Sequence, residues 1–575
     1  MTQQREKIIY EKRRWLILSV YMLFMIILVW RAVDLQVFNK DFLQEHGDAR
    51  ALRVVDIPAH RGLITDRNGD PLAVSTPVHS VWATPRTVLS SESDLSPLAK
   101  ELSMSVDQLI TILKDRVGRD FVYLRRHVDP DLSEKIVNLD IPGIAMEQEF
   151  KRYYPAGEVT AHLLGFTDID DRGQEGIELA YDEWLRGTPG SKRVLQDRLG
   201  HVIENVESIK IPKPGRDLGL SIDRRIQYLA YRELKYAVNQ HSARGGTLVM
   251  VDTRTGEVIA MVGQPSYNPN NRSELKGEFY RNRAVTDVFE PGSTIKPFTI
   301  TAALQSGLYS PLTHIDTHPG FLKVGKHTIR DIRDYGVIDV ATVIKKSSNV
   351  GASKIALSLE PSLLWDTYTK LGFGQSTGSG FPGESGGYLG MSSGWTEVEL
   401  ATIAFGYGIS VTALQLVSAY QVLATQGIQL PISFIRIEKP PAGKQVIPAD
   451  AASKILKMLT AVVTSEGTGH RAAVHGYHVA GKTGTVHKAV SGGYSEDRYL
   501  SLFAGIVPAD NPRLAMVVVI DEPQGEHYYG GQVAAPVFSR VMTGALRLLD
   551  VTPDNISGDD GHVVAVKTKS ARYTE

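Results

Sequence analysis

Three short motifs place side chains suited to serine acyl transfer in one chain. Ser293 and Lys296 form a Ser-x-x-Lys tetrad, Ser347 and Asn349 form a Ser-x-Asn triplet, and Lys482 opens a Lys-Thr-Gly triplet. A serine hydroxyl is a weak nucleophile at neutral pH and must pass its proton to a nearby base. A lysine can be that base only when it is largely neutral, which burial or a second cation produces. The motifs therefore predict Ser293 as the nucleophile and Lys296 as its base, with Lys482 as the second cation.

The surroundings of Ser293 favour a nucleophile at the start of a helix. Pro291-Gly292 permits a sharp turn before it, and the apolar run 298–304 predicts a buried helix after it. Lys296 would then lie one turn further on the same face. A plain helix cap is the alternative reading of Ser293, and the two later motifs favour the nucleophile. A second tetrad at 273–276 sits in a polar stretch with no apolar helix behind it, so we expect a solvated loop there.

The triplet Ser347-Ser348-Asn349 offers groups for proton relay and for positioning. Ser347 is suited to pass a proton to a departing amine, and Asn349 can hold either the lysine network or a substrate amide. Taken alone, the triplet is typical of a polar turn after the segment 340–346. Its place between the other two motifs favours a catalytic role.

The third motif, Lys482-Thr483-Gly484-Thr485, follows a short strand-like segment at 477–481. Gly484 would leave room for a substrate backbone to lie alongside the strand. The hydroxyls of Thr483 and Thr485, together with the charge of Lys482, suit a terminal carboxylate. The alternative is a hairpin edge that carries a solvated lysine.

In this order the three motifs resemble those of class B penicillin-binding proteins, and residues 528–538 resemble the division-type, septal member of that class. The resemblance implies a peptidoglycan D,D-transpeptidase that cross-links stem peptides through an acyl-enzyme on Ser293, acts in septal cell-wall synthesis and is a target of β-lactams. It implies an oxyanion hole formed by the backbone N–H groups of Ser293 and Thr485. It implies no cofactor and no metal. The implied partners are peptidoglycan stem peptides, β-lactam antibiotics, a membrane glycan polymerase and other divisome proteins.

The resemblance also implies an aromatic wall beside bound β-lactams, formed by Tyr499, Tyr528 and Tyr529. Core and loop packing is the alternative role of these tyrosines. His487 stands where related division enzymes often have arginine, so the sequence departs from the family at this edge of the site.

Two other functions share these motifs. A D,D-carboxypeptidase or β-lactam hydrolase would use the same groups but must admit water to the acyl-enzyme, and the sequence has no distinct deacylating glutamate motif. A non-catalytic β-lactam-binding scaffold of the divisome would tolerate loss of Ser293 or Lys482, and both are present. The transpeptidase is therefore the favoured function.

Composition excludes several other classes. The 575 residues are 42% hydrophobic, enough for several domains with full cores. The chain has 63 basic and 64 acidic residues, so it has almost no net charge that would attract a nucleic acid. With zero cysteines it has neither disulfides nor thiol chemistry.

An apolar run from Trp15 to Trp30, broken only by Ser19, predicts a transmembrane anchor. It would form roughly 24 Å of helix, which Arg14 and Arg31 can extend by snorkelling. A cleaved signal peptide is the rival interpretation, but no small-x-small cleavage site follows the run. Five basic residues precede the run, so we expect a single-pass protein of the cytoplasmic (inner) membrane with a cytoplasmic N-terminus and a periplasmic bulk.

The remaining pattern predicts an α+β penicillin-binding fold. Two strands, a long helical insertion, three more strands and a final helix indicate a five-stranded antiparallel sheet flanked by helices, with an all-helical lobe. An elongated mixed α/β pedestal is implied before it by Arg61 and Glu178, which stand in two motifs resembling those of class B pedestals and which we expect to form structural ion pairs. The predicted segments are a cytoplasmic tail at 1–14, a transmembrane anchor at 15–33, a dimerisation-like pedestal at 50–215, a transpeptidase domain at 216–552 and a disordered tail at 553–575.

Overall fold

The computed structural model describes residues 2–41, 52–196, 202–272, 277–490 and 493–555. The second Ser-x-x-Lys tetrad, at 273–276, lies outside these residues, and so does most of the predicted disordered tail. The chain divides into two compact units. The first contains Met1–His60, Thr76–Lys151 and Gly187–Gly215, and the second contains Arg61–Ser75, Arg152–Arg186 and Arg216–Glu575.

The first unit begins with a helix at Thr2–Val33 that continues as a π-helical turn at Asp34–Phe38. By length and composition, the stretch Arg13–Phe38 could cross a membrane. A three-stranded antiparallel sheet follows in the order Leu52–Ile57, Gly190–Gln196, Val202–Lys210. The rest of the unit contains the strand Val122–Val128, most of the strands Pro71–Ala83 and Ile144–Tyr153, and helices at Pro85–Ser90, Ser96–Glu101, Val106–Lys114 and Pro130–Val137.

The second unit contains the predicted five-stranded antiparallel sheet. We number its strands β1 (Gly245–Asp252), β2 (Val258–Gln264), β3 (Ala480–Val490), β4 (Gly493–Val507) and β5 (Leu514–Asp521). Their spatial order is β2-β1-β5-β4-β3, so the strand that carries the Lys-Thr-Gly motif forms one edge. All neighbouring strands are antiparallel.

Helices cover both faces of this sheet. We number six of them α1 to α6, in this order: Arg224–Gln240, Lys296–Gln305, Val340–Lys346, Asn349–Leu357, Ala413–Ala424 and Gly530–Leu548. Along β1, Leu248 and Met250 belong to the core shared with α1 and α6, whereas Val249 and Val251 belong to the core shared with the helical lobe. Because each strand side faces a helix layer, all eight residues of β1 are buried. The other helices of the unit are Ala161–Leu164, Gly176–Ala180, Asp182–Leu185, Arg283–Thr286, Pro361–Lys370, Glu397–Ile403 and Ala449–Thr460.

The lobe that was predicted to be all helical also contains two small strand pairs. His314–Asp316 pairs with Val337–Asp339, and Phe321–Val324 pairs with His327–Arg330. The expectation of an all-helical lobe was wrong at this point because residues 306–339 contain prolines and glycines that interrupt a helix. The remaining short strands of the unit are Ile64–Thr65, Leu218–Gly219, Ile428–Gln429 and Lys444–Gln445.

A buried charge cluster in the second unit confirms the predicted ion pair between Arg61 and Glu178. Arg61 Nε donates to Glu178 Oε2 at 2.7 Å, and Arg152 Nε donates to Glu178 Oε1 at 2.6 Å. A second carboxylate, that of Asp182, accepts from Arg61 Nη1 at 2.8 Å. The side chains of Arg61 and Glu178 are 0% exposed. The charges are thus paired within the protein, as burial of ions requires.

Candidate active site

Ser293 lies in a tight turn that is pressed between two other segments. A single 3₁₀ turn at Gly292–Ile295 precedes α2, as the sequence predicted. Gly292 has φ +52°, and a Cβ there would lie 2.4 Å from a methyl carbon of Val486 on β3. A Cβ on Gly406 would lie 2.3 Å from the carbonyl oxygen of Gly292. Glycine is therefore required at both positions. The close approach of these segments fixes the position of the turn that carries Ser293.

Lys296 and Lys482 meet at the hydroxyl of Ser347. Lys296 Nζ donates to Ser347 Oγ at 3.2 Å, to Ser347 O at 2.6 Å and to Asn349 Oδ1 at 2.7 Å. Lys482 Nζ donates to the same Ser347 Oγ at 2.9 Å. Among the residues that the structure describes, Lys296 has no hydrogen bond to Ser293 Oγ. The tertiary structure thus joins groups from all three motifs in one hydrogen-bonded cluster.

Both lysines are fully buried, and this burial changes their acidity. Burial lowers the pKa of Lys296 well below its ordinary value, the charge of Lys482 lowers that pKa further, and Asp331 opposes the shift. Burial alone lowers the pKa of Lys482 to about 7. The physical cause is that removal from water penalises the ammonium form more than the amine. Lys296 is accordingly suited to accept a proton at neutral pH.

Ser347 adopts a backbone conformation that is unusual for a residue other than glycine. It ends helix α3 in the left-handed region, with φ 60° and ψ 38°. Ser348 follows as the N-cap of helix α4, and its hydroxyl accepts from Gly351 N at 2.8 Å. This sharp change of direction between two helices turns Ser347 Oγ toward both lysines. Strained backbone of this kind persists where surrounding contacts hold it.

Asp331 holds the residues that directly follow Ser347, and no local sequence pattern pointed to it. Its carboxylate accepts from Ser348 Oγ at 2.5 Å, from Val350 N at 3.1 Å and from Asn349 N. The neighbouring carbonyl, Arg330 O, accepts a further hydrogen bond from Asn349 Nδ2 at 3.1 Å. Asp331, which directly follows the strand His327–Arg330, therefore caps helix α4 at its N-terminus, where an anion is favourable. A single aspartate 18 residues before Asn349 has no spacing signal that sequence inspection could have used.

Edge strand β3 carries the third motif beside the nucleophile turn. Thr483 Oγ1 lies 2.9 Å from Thr468 Oγ1, and Thr485 Oγ1 accepts from Gly530 N at 2.9 Å. A Cβ on Gly484 would lie 3.0 Å from Thr294 Cγ2. The bare Cα of Gly484 thus lets the nucleophile turn approach the strand.

A cavity of about 690 Å³ opens in front of these groups. Ser293, Ser347 and Asn349 line it, whereas Lys296 and Lys482 lie buried behind them. The other predicted site residues that line it are Thr483, Thr485, Tyr499, Tyr528 and Tyr529, together with His487. Sequence inspection did not identify the further lining residues Ile332, Tyr407, Thr468, His470, Arg471 and Gln532.

Three tyrosines and a histidine form a continuous ring stack along this cavity. Tyr499 stacks on Tyr528 with centroids 4.2 Å apart, and Tyr528 stacks on Tyr529 at 4.5 Å. His487 packs against Tyr499 at 4.7 Å, and its Nδ1 lies 2.8 Å from Ser495 O. Since a carbonyl oxygen only accepts, Nδ1 carries the proton. The stack offers an aromatic surface to a bound molecule.

Comparison with known proteins agrees with this geometry. The family model of the penicillin binding protein transpeptidase domain matches residues 246–543, and that of the penicillin-binding protein dimerisation domain matches residues 56–220. The chain is 43% identical over 538 residues to the peptidoglycan D,D-transpeptidase FtsI of Escherichia coli strain K12, which covers 93% of this chain and 91% of that protein. It is 40% identical to the probable peptidoglycan D,D-transpeptidase PbpC of Pseudomonas aeruginosa, covering 94% and 96%.

A solved structure shows the same fold. Penicillin binding protein 3 of a Mycobacterium species, complexed with aztreonam, superimposes with a TM-score of 0.68 at 28% identity, covering 87% of this chain and 98% of that one. The chain therefore belongs to the penicillin-binding proteins of class B, division type. Within the part of the chain that the structure describes, one helix, near the N-terminus, has membrane-spanning length, which is consistent with a single-pass membrane protein.

Proposed function

We propose that this protein is a peptidoglycan D,D-transpeptidase that cross-links stem peptides in septal wall synthesis and is acylated by β-lactams. The observation that carries the proposal is the shared Ser347 Oγ, which accepts from two buried lysines beside the cavity lined by Ser293. The family assignment and the names of the curated relatives support the same reaction.

In the first step Ser293 Oγ attacks the penultimate D-alanine carbonyl and gives its proton to Lys296. A neutral lysine amine has two N–H donors and one lone pair. In the neutral state the two shorter bonds, to Asn349 Oδ1 and Ser347 O, keep the two donors, the longer donation to Ser347 Oγ is given up, and the lone pair is left for the serine proton. The resulting oxyanion would be held by the backbone N–H groups of Ser293 and Thr485, a contribution of about 3 kcal/mol per donor in serine enzymes.

The tetrahedral intermediate then collapses, and the C–N bond to the last D-alanine breaks. The departing amine needs a proton, which Ser347 Oγ is placed to pass on from the lysines. The acyl group stays on Ser293 until an amine of a neighbouring stem attacks it by the same steps in reverse. The hydroxyls of Thr483 and Thr485 would bind the substrate carboxylate, attracted by the charge of Lys482 behind them, and the tyrosine stack would contact β-lactam side chains.

The family assignment also supports a proposal for the wider setting of the protein. We infer that residues 1–14 are cytoplasmic, that 15–33 cross the inner membrane, that 50–215 form the pedestal and 216–552 the periplasmic transpeptidase domain. The basic residues before the apolar helix support this orientation. A membrane glycan polymerase and other divisome proteins are the proposed partners, since septal cross-linking must act on newly made glycan.

Labelling of the full chain in detergent by a fluorescent penicillin tests this function. We expect a stable covalent label on the wild type and none on Ser293→Ala. The chain offers a matched control in its second Ser-x-x-Lys tetrad, so Ser273→Ala should label like the wild type. An unlabelled but folded wild type would favour the scaffold. A label that is lost rapidly would favour a hydrolase, and a release assay with a pentapeptide would separate carboxypeptidase from transpeptidase.

A further inference from the structure

A second cluster of chemically capable side chains lies away from the cavity that contains Ser293. His478 precedes β3, Asp510 lies between β4 and β5, and Asp554 follows helix α6. One ligand atom from each of these residues lies within 4.8 Å of the others. His478 Nδ1 is 3.0 Å from Asp510 Oδ2 and 4.0 Å from Asp554 Oδ2. We propose that these three side chains bind a divalent transition-metal ion, with Zn²⁺ as the probe.

The three segments are already held together by bonds that do not involve His478 Nδ1. The carbonyl of His478 accepts from Ala509 N at 2.8 Å, and Asn555 N donates to Gly476 O at 3.1 Å. Asp554 Oδ1 accepts from His478 N at 2.7 Å, and Asp554 Oδ2 accepts from Asp510 N at 3.2 Å. The ligands are therefore positioned before an ion arrives, which lowers the cost of ordering them.

The separation between His478 and Asp510 suits a metal with N and O ligands, and the 4.0 Å between His478 and Asp554 would shorten when an ion binds. Two ligand atoms about 2.1 Å from an ion, at angles of roughly 90–110°, lie about 3.0–3.4 Å apart, close to the His478–Asp510 separation. One imidazole and two carboxylates favour Zn²⁺ and its neighbours over Ca²⁺, which prefers oxygen alone. Binding needs the lone pair of Nδ1, so the ring proton moves to Nε2 and the ion replaces the Nδ1–H···Oδ2 hydrogen bond.

The open side of the cluster can supply the remaining coordination positions. A cleft of about 750 Å³ runs along His478, and His475, Tyr477 and Asn555 also line it. The His478 side chain is 46% exposed and that of Asp510 is 65% exposed, so an ion and its water ligands can enter without local unfolding.

An ion at this position would fasten the segment after α6 to the start of the strand that carries Lys482. Since the ligands come from three separate segments, an ion bound to the folded state alone raises its stability. The expected effect is structural, and it requires no change in the chemistry at Ser293.

Metal content and thermal unfolding of the full chain in detergent test the proposal. After dialysis against micromolar Zn²⁺ and removal of the excess, the wild type should retain one more equivalent than His478→Ala or Asp510→Asn. The chain offers a matched control in His318, whose Nδ1 lies 2.8 Å from Asp334 Oδ2 in an exposed pair. His318→Ala should retain as much Zn²⁺ as the wild type.

Zn²⁺ should also raise the unfolding temperature of the wild type and of His318→Ala, and raise it less in the two cluster variants. Penicillin labelling of each variant shows that it is folded. Equal Zn²⁺ retention by wild type and His478→Ala would overturn the proposal, as would equal loss in His318→Ala.

Discussion

The hydroxyl of Ser347 lies 2.9 Å from Nζ of Lys482, although 135 residues separate the two along the chain. Lys296 approaches the same oxygen from helix α2 at 3.2 Å. Two buried cations therefore share one neutral acceptor. At the low dielectric of a protein interior, two ammonium groups this close repel each other strongly, so it is costly in free energy for both to stay charged. The arrangement favours a state in which one of the lysines is neutral, and that is the state that a general base requires.

The first prediction concerns the pH dependence of acylation. The rate should rise with pH as Lys296, whose pKa is lowered by burial and by Lys482, loses its proton. It should fall above about pH 7, where Lys482 becomes neutral and no longer attracts a carboxylate. The second-order rate constant of penicillin labelling, measured as a function of pH, shows both the rise and the fall. The two apparent pKa values of this profile belong to the coupled pair of lysines, not to either lysine alone. A rate independent of pH would contradict the assignment of Lys296 as base, and so would near-normal labelling of Lys296→Ala.

The second prediction is that Lys482→Met stabilises the protein while it abolishes labelling. The pKa of Lys482 is about 7 in the folded state and ordinary in the unfolded chain, so between these values the unfolded chain binds the additional proton. Stability contributed by this group therefore rises with pH across that window and is lowest at or below pH 7. Removing the buried amine should raise the free energy of unfolding at pH 7 by about 1–2 kcal/mol.

Thermal melting at pH 7 and at pH 9 checks this, with the exposed Lys370→Met as the control. The gain for Lys482→Met should be smaller at the higher pH. A destabilised Lys482→Met would show that its bonds to Ser347 and Thr483 outweigh the cost of burial.

The third prediction concerns Asp331, which we regard as a positioning residue. Asp331→Asn replaces an anionic acceptor of bonds from Ser348, Asn349 and Val350 by a neutral amide. We expect a loss of about 1–3 kcal/mol in stability and at least a tenfold loss in labelling rate. Because Asp331 opposes the lowering of the Lys296 pKa, the rising limb of the pH profile should move to lower pH. If the rising part of the pH profile did not move, the role of Asp331 would be purely structural.

The fourth prediction separates the backbone of Ser347 from its hydroxyl. Ser347→Gly and Ser347→Ala both remove Oγ and should lower acyl transfer by about 10²–10⁴-fold. Glycine accepts the left-handed conformation at φ 60° without strain, whereas alanine does not. Ser347→Gly should therefore be about 1 kcal/mol more stable than Ser347→Ala in denaturant unfolding. Equal stability of the two variants would show that the surrounding structure relaxes.

The fifth prediction concerns the buried charge cluster. Glu178→Ala leaves Arg61 and Arg152 without their shared carboxylate in a position closed to water. The expected cost is about 3–5 kcal/mol in the free energy of unfolding. Glu183→Ala, at an exposed position five residues further on, should cost less than about 0.5 kcal/mol. Comparable melting of the two variants would mean that Asp182 and backbone carbonyls suffice to hold Arg61.

Local sequence patterns were sufficient for much of the fold. The five strands of the sheet, the final helix at Gly530–Leu548 and the turn that contains Ser293 were predicted because they depend on short-range periodicity and on proline and glycine at fixed positions. The strand pairs within 314–339 were missed because their four members are only three or four residues long. At that length periodicity cannot separate strand from loop.

Sequence by itself determined which residue types are available for the chemistry and in which order they occur along the chain. Only the tertiary structure decided that Lys296 and Lys482 meet at one oxygen, that Ser347 is left-handed and that Asp331 holds the turn beside it. The reason is physical. Motif identity depends on local residue type, whereas burial, charge coupling and hydrogen bonding depend on distances between segments that only chain folding brings together.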